Sequence, residues 1–196
     1  DIGHLPSRAH ALDTEAVSAF YREDFDRLFE VSERMGHFAA KHEMEFLTGL
    51  SLLFGGWAKA RTQDLAAGHE MFATGLGILK QLGSVVDLPI YLYMQATILG
   101  LQGRLDAGIA ATTEAISQGN ETGHSYWLAE LYRCRAELRA QAKMAPNLIA
   151  QDLQSAIAVA TEQGAQALLD RAIGSAQARG IGAALSSGGT ENWTAV

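Results

Sequence analysis

Apolar residues recur at steps of three and four along most of the chain, as they do on one face of an α-helix. The series Leu128, Leu131, Cys134 and Leu138 is one example. No segment alternates apolar and polar residues between turn signals, as a half-buried strand does. The pattern predicts an all-α protein with helices at residues 13–35, 38–61, 65–82, 89–102, 105–118, 124–142, 147–163 and 165–178.

Prolines and glycines mark where these helices begin and end. Pro89 and Pro146 stand where a helix can begin, because proline fits the first helical turn. Five glycines each follow a periodic stretch and can close its last turn: Gly36, Gly83, Gly103, Gly123 and Gly164. These boundaries predict an N-terminal extension at 1–12, a helical domain at 13–178 and a Gly/Ser/Thr-rich C-terminal tail at 179–196.

The helical pattern repeats with a period of about 40 residues. Residues 105–116 reproduce the small and large positions of residues 65–76, and a third copy follows after one inserted residue. Small residues at the same interval, Gly56, Ala96, Ala136 and Ala176, fit helices that cross closely. We therefore expect helical hairpins stacked as a curved solenoid. The predicted helix 13–35 then corresponds to the second half of a hairpin whose first half is missing or shortened.

The segment 95–116 resembles a tetratricopeptide repeat. Gly103 stands at the turn, Gly108 is the small residue that opens the second helix, and Ala115-Ile116 takes the place of the later Ala-Leu pair. The segment departs from the family pattern because Gly108 replaces the usual alanine and Thr112 the usual aromatic residue. The resemblance implies α-hairpin repeats that present a binding surface.

A narrower resemblance covers about residues 10–178 and includes Gly56-Trp57-Ala58, residues 129–138 and residues 156–165. Together these segments resemble the C-terminal repeat region of large bacterial signalling proteins. In that family the repeats follow an ATPase domain, often with a class III adenylate or guanylate cyclase domain or a transcriptional activator domain at the other end. The chain contains neither the metal-binding aspartates of the cyclase nor an ATPase phosphate loop. The resemblance therefore implies a regulatory segment and transfers no activity.

Charge and composition limit the classes of partner that the sequence predicts. The chain has 15 Lys and Arg against 22 Asp and Glu, a net charge of −7, which disfavours nucleic-acid binding. No basic stripe suggests a membrane surface, and no apolar run reaches the roughly 20 residues of a membrane span. A single cysteine, Cys134, and the lack of a signal peptide favour a cytoplasmic location. Self-association into a homo-oligomer stays open.

The sequence shows no catalytic centre, cofactor motif or metal site. His42-Glu43 and His69-Glu70 each open like a zinc-protease helix but lack the second histidine four positions later. Residues 75–80 carry two of the three glycines of a dinucleotide motif but follow no predicted strand. We therefore expect a non-catalytic protein that requires no cofactor.

The first helix of each hairpin lines the concave side of tetratricopeptide-like arrays, which indicates a candidate peptide-binding face. Aromatic anchors and arginines often dominate interfaces, and both types occur in this set. The alternatives are core packing of Trp57 and Tyr93, an apolar small-molecule pocket beside them, or a structural oligomerisation unit. The predicted face consists of Leu53, Trp57, Arg61, Tyr93, Thr97, Leu101, Glu130, Arg133 and Glu137.

The last segment, 180–196, has the Gly, Ser and Thr content of a flexible tail. Its large apolar residues are Leu185, Trp193 and Val196. We expect the tail either to dock in an apolar groove, where it stands in for the natural ligand, or to be ordered by contacts between neighbouring molecules.

Overall fold

A computed structural model describes residues 4–84, 87–123 and 125–181, with Thr122 described by its backbone alone. Within these ranges the chain forms α-helices and a single 3-10 turn at Ser125–Trp127, and no strand. The predicted all-α class is confirmed. The expected tail at 180–196 lies almost entirely outside the described residues. The helices are α1 Leu5–Tyr21, α2 Phe25–His42, α3 Glu45–Thr62, α4 Leu65–Gln81, α5 Leu88–Leu101, α6 Leu105–Thr122, α7 Leu128–Gln141, α8 Pro146–Glu162 and α9 Gln166–Gln177.

The predicted single helix at 13–35 is wrong, because the chain turns at residues 22–24 between α1 and α2. Glu23 adopts a left-handed backbone conformation with φ 53°, which reverses the chain. The Asp24 carboxylate then accepts a hydrogen bond from the Arg27 backbone N–H at 3.2 Å and caps α2. Helix α1 begins at Leu5, so residues 5–12 of the predicted extension belong to it. The hairpin therefore has both halves.

Gly36 does not end a helix as predicted. It lies inside α2, where an added Cβ would approach the Ser51 hydroxyl on α3 to 3.2 Å, so its small size serves packing. The helix continues to His42 and ends at Glu43, which has φ 54°. Helix α3 consequently begins at Glu45 and not at residue 38. The other four glycines have φ between 63° and 73° after their helices, as predicted: Gly83, Gly103, Gly123 and Gly164.

The 40-residue period of the sequence is also a period of helix starts. Helices α2, α4, α6 and α8 begin at residues 25, 65, 105 and 146, and α1 and α3 begin at residues 5 and 45. The series of small residues extends backwards by one position, because Ala16 precedes Gly56 by the same interval. All of its members are buried: Ala16, Gly56, Ala96, Ala136 and Ala176.

The helices divide into two units, residues 1–104 with α1 to α5 and residues 105–196 with α6 to α9. In unit 1, α3 packs against α2 and, most closely, against α4. Unit 2 is built around α7, which contacts α6, α8 and α9. Its core includes Ala136, Ile149, Leu153 and Ala176.

The backbones of α3 and α4 are in direct contact along a line of glycines, which we name the glycine seam: Gly49, Gly56, Gly68 and Gly75. An added Cβ at Gly56 would lie 2.3 Å from the Phe72 backbone nitrogen. At Gly68 it would lie 2.2 Å from the Ala60 nitrogen. No real Cβ contact is that short, so glycine is required at these positions. The seam fixes α3 in the interior of unit 1.

Candidate functional site

Three residues of the predicted binding face lie in the core of unit 1. Leu53, Trp57 and Tyr93 are at most 3% exposed. The Trp57 ring contacts the rings of Phe20 and Phe25, with centroids 5.2 Å apart in both pairs. We name Phe20, Phe25, Trp57 and Tyr93 the aromatic cluster. Of the two interpretations that the sequence left for Trp57 and Tyr93, a binding face or core packing, the structure shows core packing. Helices α1 and α2, which were predicted to be one helix, supply rings that cover α3.

Two of the other three predicted residues of unit 1 contact the aromatic cluster. The Thr97 hydroxyl accepts a hydrogen bond from the Trp57 indole N–H at 2.7 Å. The guanidinium of Arg61 lies over two rings, 4.8 Å from the Phe25 centroid and 5.2 Å from that of Trp57. Leu101 differs from the rest because 52% of it is exposed. Most of this predicted face therefore stabilises the fold of unit 1.

The predicted residues of unit 2 form ion pairs that join α7 to α9. Glu130 is only 1% exposed and accepts a hydrogen bond from Arg133 Nε at 3.0 Å. Arg133 also pairs with Glu137, at 3.7 Å. From α9 and the residues after it, Arg171 lies 3.9 Å from Glu130, and Arg179 pairs with Glu137. These ion pairs link α7 to α9, and the side chains of Arg133 and Glu137 stay 19% and 28% exposed. Their place on a binding face stays a prediction.

A second set of ion pairs joins α7 to α8. The Asp152 carboxylate is 2% exposed and receives Arg135 Nη2 at 2.7 Å and Arg139 Nη1 at 2.8 Å. Asp152 was not among the residues predicted from the sequence, because it pairs with Arg135 across 17 positions of the chain. The sequence feature that could have indicated this ion pair is an acidic residue, Asp152, among the apolar positions of α8.

The negative charge of Asp87, just before α5, acts on two titratable groups, Tyr91 of α5 and Asp13 of α1. Burial raises the pKa of Tyr91, and the negative charges of Asp87 and Asp13 add to the effect. Burial also raises the pKa of Asp13, while His10 opposes the shift and Asp87 reinforces it. The charged form of Asp13 is therefore disfavoured in the folded protein.

We expect Asp13→Asn to raise the unfolding midpoint at neutral pH. The folded state holds the Asp13 proton more tightly than the unfolded chain, whose pKa is near the ordinary 3.8. The contribution of Asp13 to the stability of the native protein therefore increases as the pH falls through the raised pKa of Asp13 in the folded state. It becomes constant at pH values below the pKa of Asp13 in the unfolded chain. The variant should lack this acid-range increase in thermal melts recorded at several pH values. The control is Glu33→Gln at an exposed carboxyl of α2, and equal pH profiles for Asp13→Asn and the native protein would contradict the prediction.

An open groove runs between α1 and α2, and we name it the α1–α2 groove. It consists of two adjoining cavities of about 400 and 680 Å³ that share Ala11 and Glu15. The smaller cavity is also lined by Arg8, Leu12, Arg34, His37 and Phe38. The larger cavity is also lined by His10, Thr14, Ser18, Ala19, Arg22, Asp24 and Arg27.

Glu15 separates the two halves of the α1–α2 groove. Its carboxylate pairs with Arg27 and with Arg34, the latter at 3.1 Å. The side chains of these two arginines are still 43% and 49% exposed. Arg8 and Arg22 form no ion pair with any residue that the structure describes. The groove was not predicted from the sequence, because residues 13–35 were expected to form one helix without a turn between α1 and α2.

Other chemistry is not apparent in the part of the chain that the structure describes. No three His, Cys, Asp or Glu side chains there come close enough together to hold a metal ion. Cys134 is a buried thiol in α7. None of the described helices combines the length and the apolar character that crossing a membrane requires.

The chain is similar to one part of a much longer protein. No protein-family model matches the chain. An uncharacterized protein of Rhizobium meliloti (strain 1021) is 56% identical to the chain over 180 residues, which are 92% of this chain and 18% of that protein. The chain thus spans less than a fifth of the length of this relative. The matching segment of the relative lies within a much longer polypeptide.

Proposed function

We propose that the chain is a non-catalytic, tetratricopeptide-like module that binds a protein partner. It acts in the cytoplasm as the regulatory part of a bacterial signalling protein such as an adenylate cyclase or a transcriptional regulator. The resemblance of residues 95–116 to a tetratricopeptide repeat and the periodic helix starts support the module. The resemblance of residues 10–178 to signalling-protein repeats supports the regulatory role.

The observation that carries the proposal is the α1–α2 groove. Arginine is among the residues that contribute most to protein interfaces, and four arginines line the two cavities. The groove is open to solvent, whereas four of the nine residues of the face expected from the sequence are buried: Leu53, Trp57, Tyr93 and Glu130. A partner segment can therefore enter the groove without disrupting either core.

A photo-cross-linking amino acid at Thr14 tests this proposal. Thr14 is exposed and lines the larger cavity. We expect irradiation of native cells to give a defined adduct with a second protein, because a bound partner lies within reach of this position. The adduct is measured by its mass on a gel and identified by mass spectrometry.

Thr161 on α8 provides a matched control position. It is also exposed, and like Thr14 its hydroxyl donates at 2.8 Å to the carbonyl four residues earlier. An adduct of twice the mass of the chain would favour the oligomerisation unit that the sequence left open. Equal adducts from Thr14 and Thr161, or no protein adduct from Thr14, would contradict binding in the groove.

A further inference from the structure

The charges of the α1–α2 groove are arranged in two similar sets around Glu15. The smaller cavity has Arg8 and Arg34, and the larger cavity has Arg22 and Arg27. Each cavity also contains one histidine, and Glu15 belongs to both. We propose that this groove binds an acidic peptide segment of the partner protein, with one carboxylate or more in each cavity. The inference rests on the proposed function and specifies the chemistry of its partner.

Helix geometry explains why these groups line one groove. Arg8, Glu15 and Arg22 are spaced by seven residues, as are Arg27 and Arg34, and a seven-residue step returns to nearly the same face of a helix. Helix α1 and Arg22, which directly follows it, thus present three charges to the two that α2 presents. The distance from Arg8 to Arg22 along the helix axis is about 21 Å at 1.5 Å per residue. An extended or helical peptide segment can span both cavities.

The balance of charge favours an acidic occupant. Four guanidinium groups line the groove, whereas Glu15 and Asp24 are its carboxylates. The whole chain, by contrast, carries a net charge of −7. The groove is therefore a local positive region on an acidic protein. Arginine suits this role because its planar guanidinium can donate two parallel hydrogen bonds to one carboxylate.

A nucleic acid fits the same groove poorly. Single-stranded nucleic acids are held by aromatic rings on which bases stack, and Phe38, the aromatic residue of the lining, is only 8% exposed. Binding of a phosphate backbone relies on many Lys and Arg contacts along the strand, and this groove offers four arginines. A peptide requires neither stacking rings nor an extended basic surface.

Glu15 acts as an internal substitute for the partner's carboxylate. It pairs with Arg27 and Arg34 in the unbound groove, so an arriving carboxylate competes with it for those two guanidinium groups. Arg8 and Arg22 supply the initial attraction. Glu30 also pairs with Arg27, at 2.6 Å, so replacing Glu15 by glutamine removes one of two competing charges. The replacement should still strengthen binding, an effect that a merely structural Glu15 would not produce.

The test measures binding of a fluorescein-labelled alanine-based peptide that carries glutamates along one face, by fluorescence anisotropy at low salt. A peptide with glutamines at the same positions shows how much of the affinity depends on charge. We expect Arg8→Gln and Arg22→Gln each to weaken binding about fivefold, and Glu15→Gln to strengthen it about threefold. Arg104→Gln and Glu70→Gln are the matched controls, since both residues are exposed and lie outside the groove.

Three results would overturn the inference: equal affinity for the glutamine peptide, an Arg104→Gln effect as large as that of Arg22→Gln, or tighter binding of single-stranded oligodeoxythymidine than of the glutamate peptide. Weaker binding by the Glu15→Gln protein would overturn the competing role of Glu15. If the adduct from Thr14 forms while the glutamate peptide does not bind, the proposed function stands and its acidic specificity fails. If both fail, the groove is not a binding site.

Discussion

Replacement of Gly75 by alanine should lower the free energy of unfolding by about 1–3 kcal/mol, although alanine is the better helix former. The added Cβ would lie 2.5 Å from the Leu53 backbone nitrogen and 2.6 Å from the Gly49 carbonyl oxygen. Both atoms belong to the backbone of α3, so no side chain can rotate away. Helices α3 and α4 would have to separate along the whole glycine seam.

Gly77 offers a matched control two positions further along α4. An added Cβ there meets no atom within 4 Å. We expect Gly77→Ala to raise the free energy of unfolding by about 0.5–1 kcal/mol, because it restricts the unfolded chain without any clash. Urea titrations followed by circular dichroism measure both variants. Shifts of the same sign for Gly75→Ala and Gly77→Ala would show that the seam does not determine stability.

The second large effect is expected for Asp152→Ala in unit 2, a loss of about 3–5 kcal/mol. The variant leaves the guanidinium groups of Arg135 and Arg139, whose side chains are 13% and 16% exposed, without their shared carboxylate. Burying unpaired charge costs far more than the pair itself contributes. Asp170→Ala serves as the control, because Asp170 is exposed and accepts one hydrogen bond from Gln166.

A triple variant separates the effect of unpaired charge on stability from the effect of packing. Arg135→Met, Arg139→Met and Asp152→Leu together replace the ion pairs by apolar side chains of similar size, which often restores or increases stability. We expect the triple variant to recover most of the loss in urea titrations. A loss in the triple variant as large as that of Asp152→Ala would show that the hydrogen-bond geometry, and not unpaired charge, is responsible.

The sequence predicted the helical class and the repeat period because both depend on local spacing. The sequence predicted the ends of helices that are followed by a glycine in the left-handed conformation, such as Gly83. It did not predict the helix ends at Glu23 and Glu43, where a glutamate adopts the left-handed conformation. Glutamate adopts that conformation rarely, so its presence in the sequence does not indicate a helix end. Asp24 is the sequence feature that indicates the turn between α1 and α2, because aspartate is favoured at the N-cap of a helix.

The site was harder to predict, since exposure depends on which helices cover a face. The spacing of Trp57, Tyr93 and Thr97 placed them together correctly. The sequence could not show that Phe20 and Phe25 would cover them, because the turn between α1 and α2 had been missed. The same error hid the groove, whose seven-residue charge spacing becomes visible only when α1 and α2 are separate helices.

The equivalent small residues have a consequence for how the chain can evolve. If tandem duplication produced the hairpins, then Ala16, Gly56, Ala96 and Ala136 began as copies of one position. Gly56 now permits a backbone approach that alanine would block, since a Cβ there would meet the Phe72 nitrogen at 2.3 Å. The copies are therefore no longer interchangeable. Recombination that moved another hairpin into this place would insert an alanine where the seam has no space for its methyl group.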